Sequence, residues 1–213
     1  MARAPSENPY HHPFEKPLAF DFTVVENQCR ECFEIVMATR AIGAFWNSDL
    51  EEFSEEPDWS FPLLIGQHQE AAEVRLSTIL LSLSASYRAL DDQICEERAY
   101  QIFKDAQKKQ HQGFLVVYEG GAISDSLREC CNKIIHSKDF RPVYDNNSEP
   151  RDEGVYHMTG IIELQGSRGK TEWLVSLDIF AFLEAMLETV TFLMSEVTTD
   201  HFPAVEGQSN LSQ

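Results

Sequence analysis

Tyr156-His-Met-Thr-Gly-Ile-Ile-Glu-Leu-Gln-Gly-Ser-Arg-Gly-Lys-Thr-Glu-Trp-Leu-Val-Ser-Leu177 is the stretch on which the fold turns. Residues 156–164 and 171–177 are rich in β-branched and aromatic side chains, and Trp173, Val175 and Leu177 alternate onto one face of the second segment. Gly166-Ser-Arg-Gly169 lies between them and reads as a four-residue hairpin connection. Most of the rest of the chain has apolar residues at three- and four-residue steps, so the hairpin is expected as an insertion in a helical protein.

Working outward, Asp178 caps a helix whose apolar face is Phe180, Leu183, Met186, Leu187, Val190 and Leu193. On the other side, Ser124-Asp-Ser offers N-capping groups to Leu127-Arg-Glu-Cys-Cys-Asn-Lys-Ile-Ile-His136, a short helix that stops before Arg141-Pro142. Asp145-Asn-Asn-Ser-Glu-Pro150 reads as a surface loop. Upstream, 23–46 has a helical period through Val24, Val25, Cys29, Cys32, Phe33, Val36, Met37 and Ile42. Residues 63–94 form a second long helix with a stripe of Leu64, Ala71, Val74, Leu81, Ala85 and Leu90, and 96–112 reads as its polar continuation, closed by Gly113. Between the long helices, six acids from Asp49 to Asp58, with Pro57, read as a loop or short turn. Phe114-Leu-Val-Val-Tyr118 is a strand or a buried linker. The fold expected is therefore mainly α: a four-helix up-down bundle with a β-hairpin inserted between the third and fourth helices. Residues 21–200 form its single domain, between a proline-punctuated flexible arm at 1–20 and a flexible tail at 201–213.

Composition narrows the function. The 213 residues carry 17 Lys and Arg against 35 Asp and Glu, a net charge of −18, which opposes general capture of phosphate backbones. Five cysteines are an odd number, and the polar first 17 residues lack the apolar centre of a secretory leader, so a reducing cytoplasm is expected. Apolar runs are far shorter than the ~20 residues of a spanning helix, so no membrane role is expected. Cys29-Arg-Glu-Cys32 has the spacing of half a zinc site, but no second pair completes it, and buried cysteine packs as a small apolar residue. No histidine follows a Glu at carboxylate-bridged di-metal spacing, and Walker, GxGxxG and GxSxG loops are missing. No metal and no cofactor is expected.

The short helix holds the one constellation with chemistry. Arg128, Asn132 and His136 follow at i+4 steps, each drifting ~40° around the axis, and so share an inclined ridge. Arg128, Lys133, Lys138 and Arg141 face only Glu129 and Asp139, making 127–141 the basic locality of an acidic chain. A plainer account has Asn132 and His136 hydrogen-bonding across helices while Arg128 pairs with Glu129 or Asp125 at the surface.

This helix resembles the signature helix of the higher eukaryotes and prokaryotes nucleotide-binding (HEPN) superfamily, whose motif is an Arg followed by His, often with Asn directly after the Arg. Asn132-Lys-Ile-Ile-His136 matches its second half, whereas Cys131 stands where the Arg is usual, and seven residues separate Arg128 from His136. The order of elements over about 63–200 carries the rest of the likeness. Many members are metal-independent ribonucleases of toxin–antitoxin and phage-defence systems, and others are noncatalytic. The resemblance implies His136 as general acid/base at the RNA 2′-hydroxyl or leaving oxygen, Arg128 neutralising phosphate, and Asn132 orienting either, with a second copy of the motif across a homodimer. Lys133, Lys138 and Arg141 are the expected RNA-binding side chains. Eight helical steps between Arg128 and His136 amount to ~12 Å of rise, a long reach for such a pair. Two functions follow as expectations for the cytosol of a prokaryote or its mobile elements. One is a ribonuclease. The other is a noncatalytic helical binding or scaffold protein that dimerises, or binds an antitoxin or other partner, through this helix, as Cys131 and the charge of −18 favour.

Overall fold

The structure, a computed structural model, describes residues 21–52, 62–111, 113–119, 125–146 and 155–200. Its elements are α1 (Phe22–Glu52), α2 (Pro62–Ile94), α3 (Arg98–Gln110), β1 (Leu115–Glu119), α4 (Leu127–Ile135), β2 (Ser137–Asp145), β3 (His157–Arg168), β4 (Thr171–Asp178) and α5 (Ile179–Asp200). The expected four-helix bundle with an inserted hairpin is corrected: among the described residues, five helices accompany a four-stranded antiparallel sheet of order β1-β4-β3-β2, a mixed α/β fold. The arm at 1–20, the tail at 201–213 and the acidic stretch after Glu52 lie outside the described residues, while α1 runs on through Asp49, Glu51 and Glu52, where a loop or short turn was expected.

The hairpin is the middle of this sheet. Ile162 pairs with Leu177 and Leu164 with Val175, and the strands run on to Arg168 opposite Thr171, so the connection is tighter than the four residues expected. Gly169 has φ 62°, a turn position glycine takes without strain. Along β3, Met158, Ile162 and Leu164 are buried while Ile161, Glu163 and Gln165 are half-buried; on β4, Trp173, Val175 and Leu177 are buried, as the alternation predicts. The edges are the strands that hydropathy hides. β1 adds to β4 through Leu115 opposite Leu177, which settles the strand-or-linker alternative at 114–118. β2 pairs with β3 through Phe140 opposite Leu164 and contains Lys138, Asp139, Arg141 and Pro142. Charges and proline are tolerated at an edge, where one side of the ladder faces outward, so no apolar pattern announced this strand.

The helices shield the inner face of the sheet. α1 buries Val25, Cys29, Cys32 and Val36; α5 buries Phe182, Leu183, Met186 and Val190. The Arg40 guanidinium on α1 caps the Met158 and Thr159 carbonyls of β3 and lies 5.4 Å from the Phe180 ring centroid. α3 is a separate helix rather than a continuation of α2: the chain breaks at Cys95 and Glu96, and α3 packs back through Tyr100 and through Gln107, which donates to the Ala185 carbonyl of α5 at 2.9 Å.

α2 turns its expected face outward. Ala72, Leu76, Leu80, Leu83 and Tyr87 are buried, whereas of the expected stripe only Leu90 is, and Leu64, Ala71, Val74, Leu81 and Ala85 are exposed. Apolar residues occur on both sides of this helix, and the side with Leu76, Leu80, Leu83 and Tyr87 covers more core. Among the described residues, no helix is long and apolar enough to cross a membrane.

Candidate functional site

α4 is short and held at both ends. The Ser126 hydroxyl accepts from the Glu129 amide at 3.3 Å as an N-cap, and His136 follows Ile135 as the C-cap, its amide donating to the Asn132 carbonyl at 3.0 Å. The inner side, Leu127, Cys130, Cys131 and Ile134, is buried in the core. The outer side faces two ways, toward the end of α2 and toward the β3–β4 turn.

Toward α2 lies a buried carboxylate. Asp91 has no exposed side-chain surface and accepts from Tyr100 Oη at 3.0 Å, from Lys104 Nζ at 2.5 Å and from the Arg128 guanidinium. Burial alone would raise its pKa, but the hydrogen bonds from Lys104 and Arg128 prevail, and the carboxyl is held below its ordinary value. Arg128 also donates to Asp92 at 2.5 Å, which lowers the pKa of Asp92 as well. The cations make burial of Asp91 tolerable, since a lone carboxylate in that position would be far too costly. Arg88 continues the chain of contacts from Asp92, at 3.6 Å, to the Asn132 side-chain oxygen, and the Asn132 amide donates to Glu129 at 2.9 Å.

Toward the β3–β4 turn, a pocket of about 520 Å³ is lined by Glu129, Asn132, Lys133, His136, Ser167, Arg168, Gly169 and Trp173. The Lys133 ammonium sits 4.1 Å from the Trp173 ring centroid and 3.5 Å from Glu129, a desolvated cation over an aromatic face. Gly166 makes this closeness possible: a Cβ there would enter the Trp173 ring and stand 2.7 Å from the His136 carbonyl. His136 and Arg168 are exposed at the rim.

The ridge therefore divides. Asn132, Lys133 and His136 meet at one pocket, while Arg128 turns to Asp91 and Asp92. Neither acid is the surface partner, Glu129 or Asp125, that the plainer account named; Asp125 instead accepts from the Leu115 amide at 3.3 Å and from the Gly113 amide. Lys138 and Arg141 lie on β2 and do not line the pocket, and Arg141 pairs with Asp139 at 3.1 Å. Ser167, Arg168 and Trp173 were missed, because they reach α4 only once β3 and β4 close the sheet. The Gly166-to-Gly169 turn was the signal available, but sequence distance from His136 concealed its place.

Cys29 and Cys32 are free and buried side by side in the helical sequence of α1. Burial, followed by the nearby Glu26 charge, pushes the Cys29 thiol up to about 12, and burial likewise raises Cys32, so both are thiols at neutral pH. Among the described residues, no group of three or more His, Cys, Asp or Glu side chains is placed to hold a metal. Comparison with protein-family models, curated proteins and solved structures returns no match for this chain.

Proposed function

We propose that the protein is a noncatalytic binding protein whose α4 pocket receives an anionic group of its partner. The observation that carries this reading is the capture of Arg128 by Asp91 and Asp92. A ribonuclease of the HEPN kind needs a guanidinium free to meet phosphate beside the histidine, and this one already serves to neutralise a buried carboxylate. Swinging it out would leave Asp91 to Lys104 and the Tyr100 hydroxyl, at a cost of about 1.5 kcal/mol. The HEPN resemblance enters this proposal only through Asn132 to His136, and as its noncatalytic kind. Because the apolar side of α4 is spent on the core, the face it offers a partner is the polar one around Lys133, His136 and Arg168.

The test is incubation of the whole chain with mixed RNA in excess chelator, alongside titration of a labelled short oligoribonucleotide as a probe anion. No cleavage is expected, with salt-dependent binding that weakens in Arg168→Glu. Turnover that disappears in a folded His136→Ala variant would overturn the proposal.

The ribonuclease reading keeps one supporting observation: His136 is exposed on a pocket that also contains Lys133 and Arg168. In that case Lys133 or Arg168, rather than Arg128, meets the phosphate, and Arg168→Ala should lower the cleavage rate more than Arg128→Lys does.

A further inference from the structure

The outer face of α2 is apolar where a solvated helix carries charge. Leu64, Val74 and Leu81 are 63%, 68% and 48% exposed, and between them Gln67, Ala71, Thr78 and Ala85 are also exposed. These seven positions follow one another at alternating three- and four-residue steps from 64 to 85, the spacing of the a and d positions of a coiled coil, with Leu64, Ala71, Thr78 and Ala85 as a and Gln67, Val74 and Leu81 as d. The seam is ~32 Å long at 1.5 Å per residue. None of its members is charged, in a chain of net charge −18. The opposite side of the same helix, through Leu76, Leu80 and Leu83, already fills the core, so this second stripe is no part of the core that the described residues form.

We propose that a second copy of this chain covers the seam, with the two α2 helices parallel about a two-fold axis. Charge selects both occupant and direction. Two chains of this net charge repel across most of their surfaces, and an uncharged stripe is where they can approach. At the flanks, Glu70 occupies a g position and Arg75 the e position five residues later, the spacing at which g of one helix meets e of its parallel partner. A two-fold axis makes this contact twice, Glu70 of each copy against Arg75 of the other, which is the self-complementarity an isologous interface requires. An antiparallel pair would set e against e and leave Glu70 and Arg75 on opposite flanks. Arg75 is already held at the correct edge by Glu31 of α1, with 69% of its side chain exposed. Ala71, Thr78 and Ala85 are small enough for close approach of the two backbones. This dimer is independent of the α4 pocket and of the function proposed for it.

Sedimentation equilibrium of the whole chain should find a dimer. Val74→Glu and Leu81→Glu should each raise its dissociation constant at least about tenfold with the far-ultraviolet spectrum unchanged, because both side chains lie outside the core. Glu70→Lys should weaken association, and adding Arg75→Glu should restore it. In a Cys95→Ser background, Ala85→Cys and Leu64→Cys should each cross-link to their own kind. A monomer at all concentrations, whether Val74→Cys is open to thiol labelling or shielded by another part of the chain, overturns the proposal. So does a dimer indifferent to Val74→Glu and Leu81→Glu, or one in which Leu64→Cys cross-links only to Ala85→Cys.

Discussion

The two ends of α2 invert the usual rule of burial. From 64 to 85 an uncharged, mostly apolar seam faces outward, while at Asp91, a turn and a half further on, a carboxylate is shut away from solvent. Local hydropathy assigns the opposite fates. The difference is set by what each position meets: Lys104, Arg128 and the Tyr100 hydroxyl converge on Asp91, whereas nothing among the described residues packs over Val74 and Leu81. A polar group is buried where its hydrogen bonds are supplied, and an apolar one stays out where the core is already full.

The strongest way to break this comparison is Asp91→Ala, which takes the buried acceptor from Lys104 and leaves Arg128 with Asp92 and the Tyr100 hydroxyl with Tyr87. Unfolding by urea should show a loss of about 3 kcal/mol, the lower end of what breaking a buried ion pair costs, since Lys104 and Arg128 can still reach water. A loss under 1 kcal/mol would mean the cluster is ornamental. pH probes the same group. The folded pKa of Asp91 is below its ordinary value, so its contribution is complete above the unfolded carboxylate range and is lost as pH falls through the folded value. The urea midpoint should therefore decline on acidification, and Asp91→Asn should flatten that decline.

Arg128→Met removes one of the two cations and should cost about 1.5 kcal/mol, because Lys104 and Tyr100 remain on Asp91. If it leaves oligonucleotide affinity untouched while Arg168→Glu weakens it, the division of the α4 ridge is functional as well as geometric. The smallest effect belongs to the seam. Val74→Ser should change the stability of dissociated chains by no more than about 0.5 kcal/mol, measured in dilute urea titrations, as for any exposed position outside the core.

Much of the helical content was open to direct reading, because a cap and a period are local signals. Ser126 before α4 and Asp178 before α5, which accepts from the Ala181 amide at 3.1 Å, act as their positions suggest. β2 was not, since Pro142, Lys138 and Arg141 suit an edge strand only when a neighbour exists to accept them. The candidate site was half readable. Asn132 and His136 share a face by helical geometry alone, whereas Lys133 reaches the same pocket only through its packing on Trp173, and Arg128 left the group because its strongest partners, Asp91 and Asp92, lie on another helix.

By itself the sequence determined the hairpin of β3 and β4, the starts of α4 and α5, the alternating apolar face through Trp173, Val175 and Leu177, and the charge that bars broad capture of nucleic acid. Those depend on neighbours within a few residues or on composition. Tertiary structure decided that the hairpin would be the centre of a sheet, which side of α2 would be core, that Asp91 would be buried and Arg128 would go to it, and that Arg168 and Trp173 would meet His136. Each of these is a competition among groups far apart in the chain, and its outcome depends on which surfaces and hydrogen-bond partners the fold brings within reach.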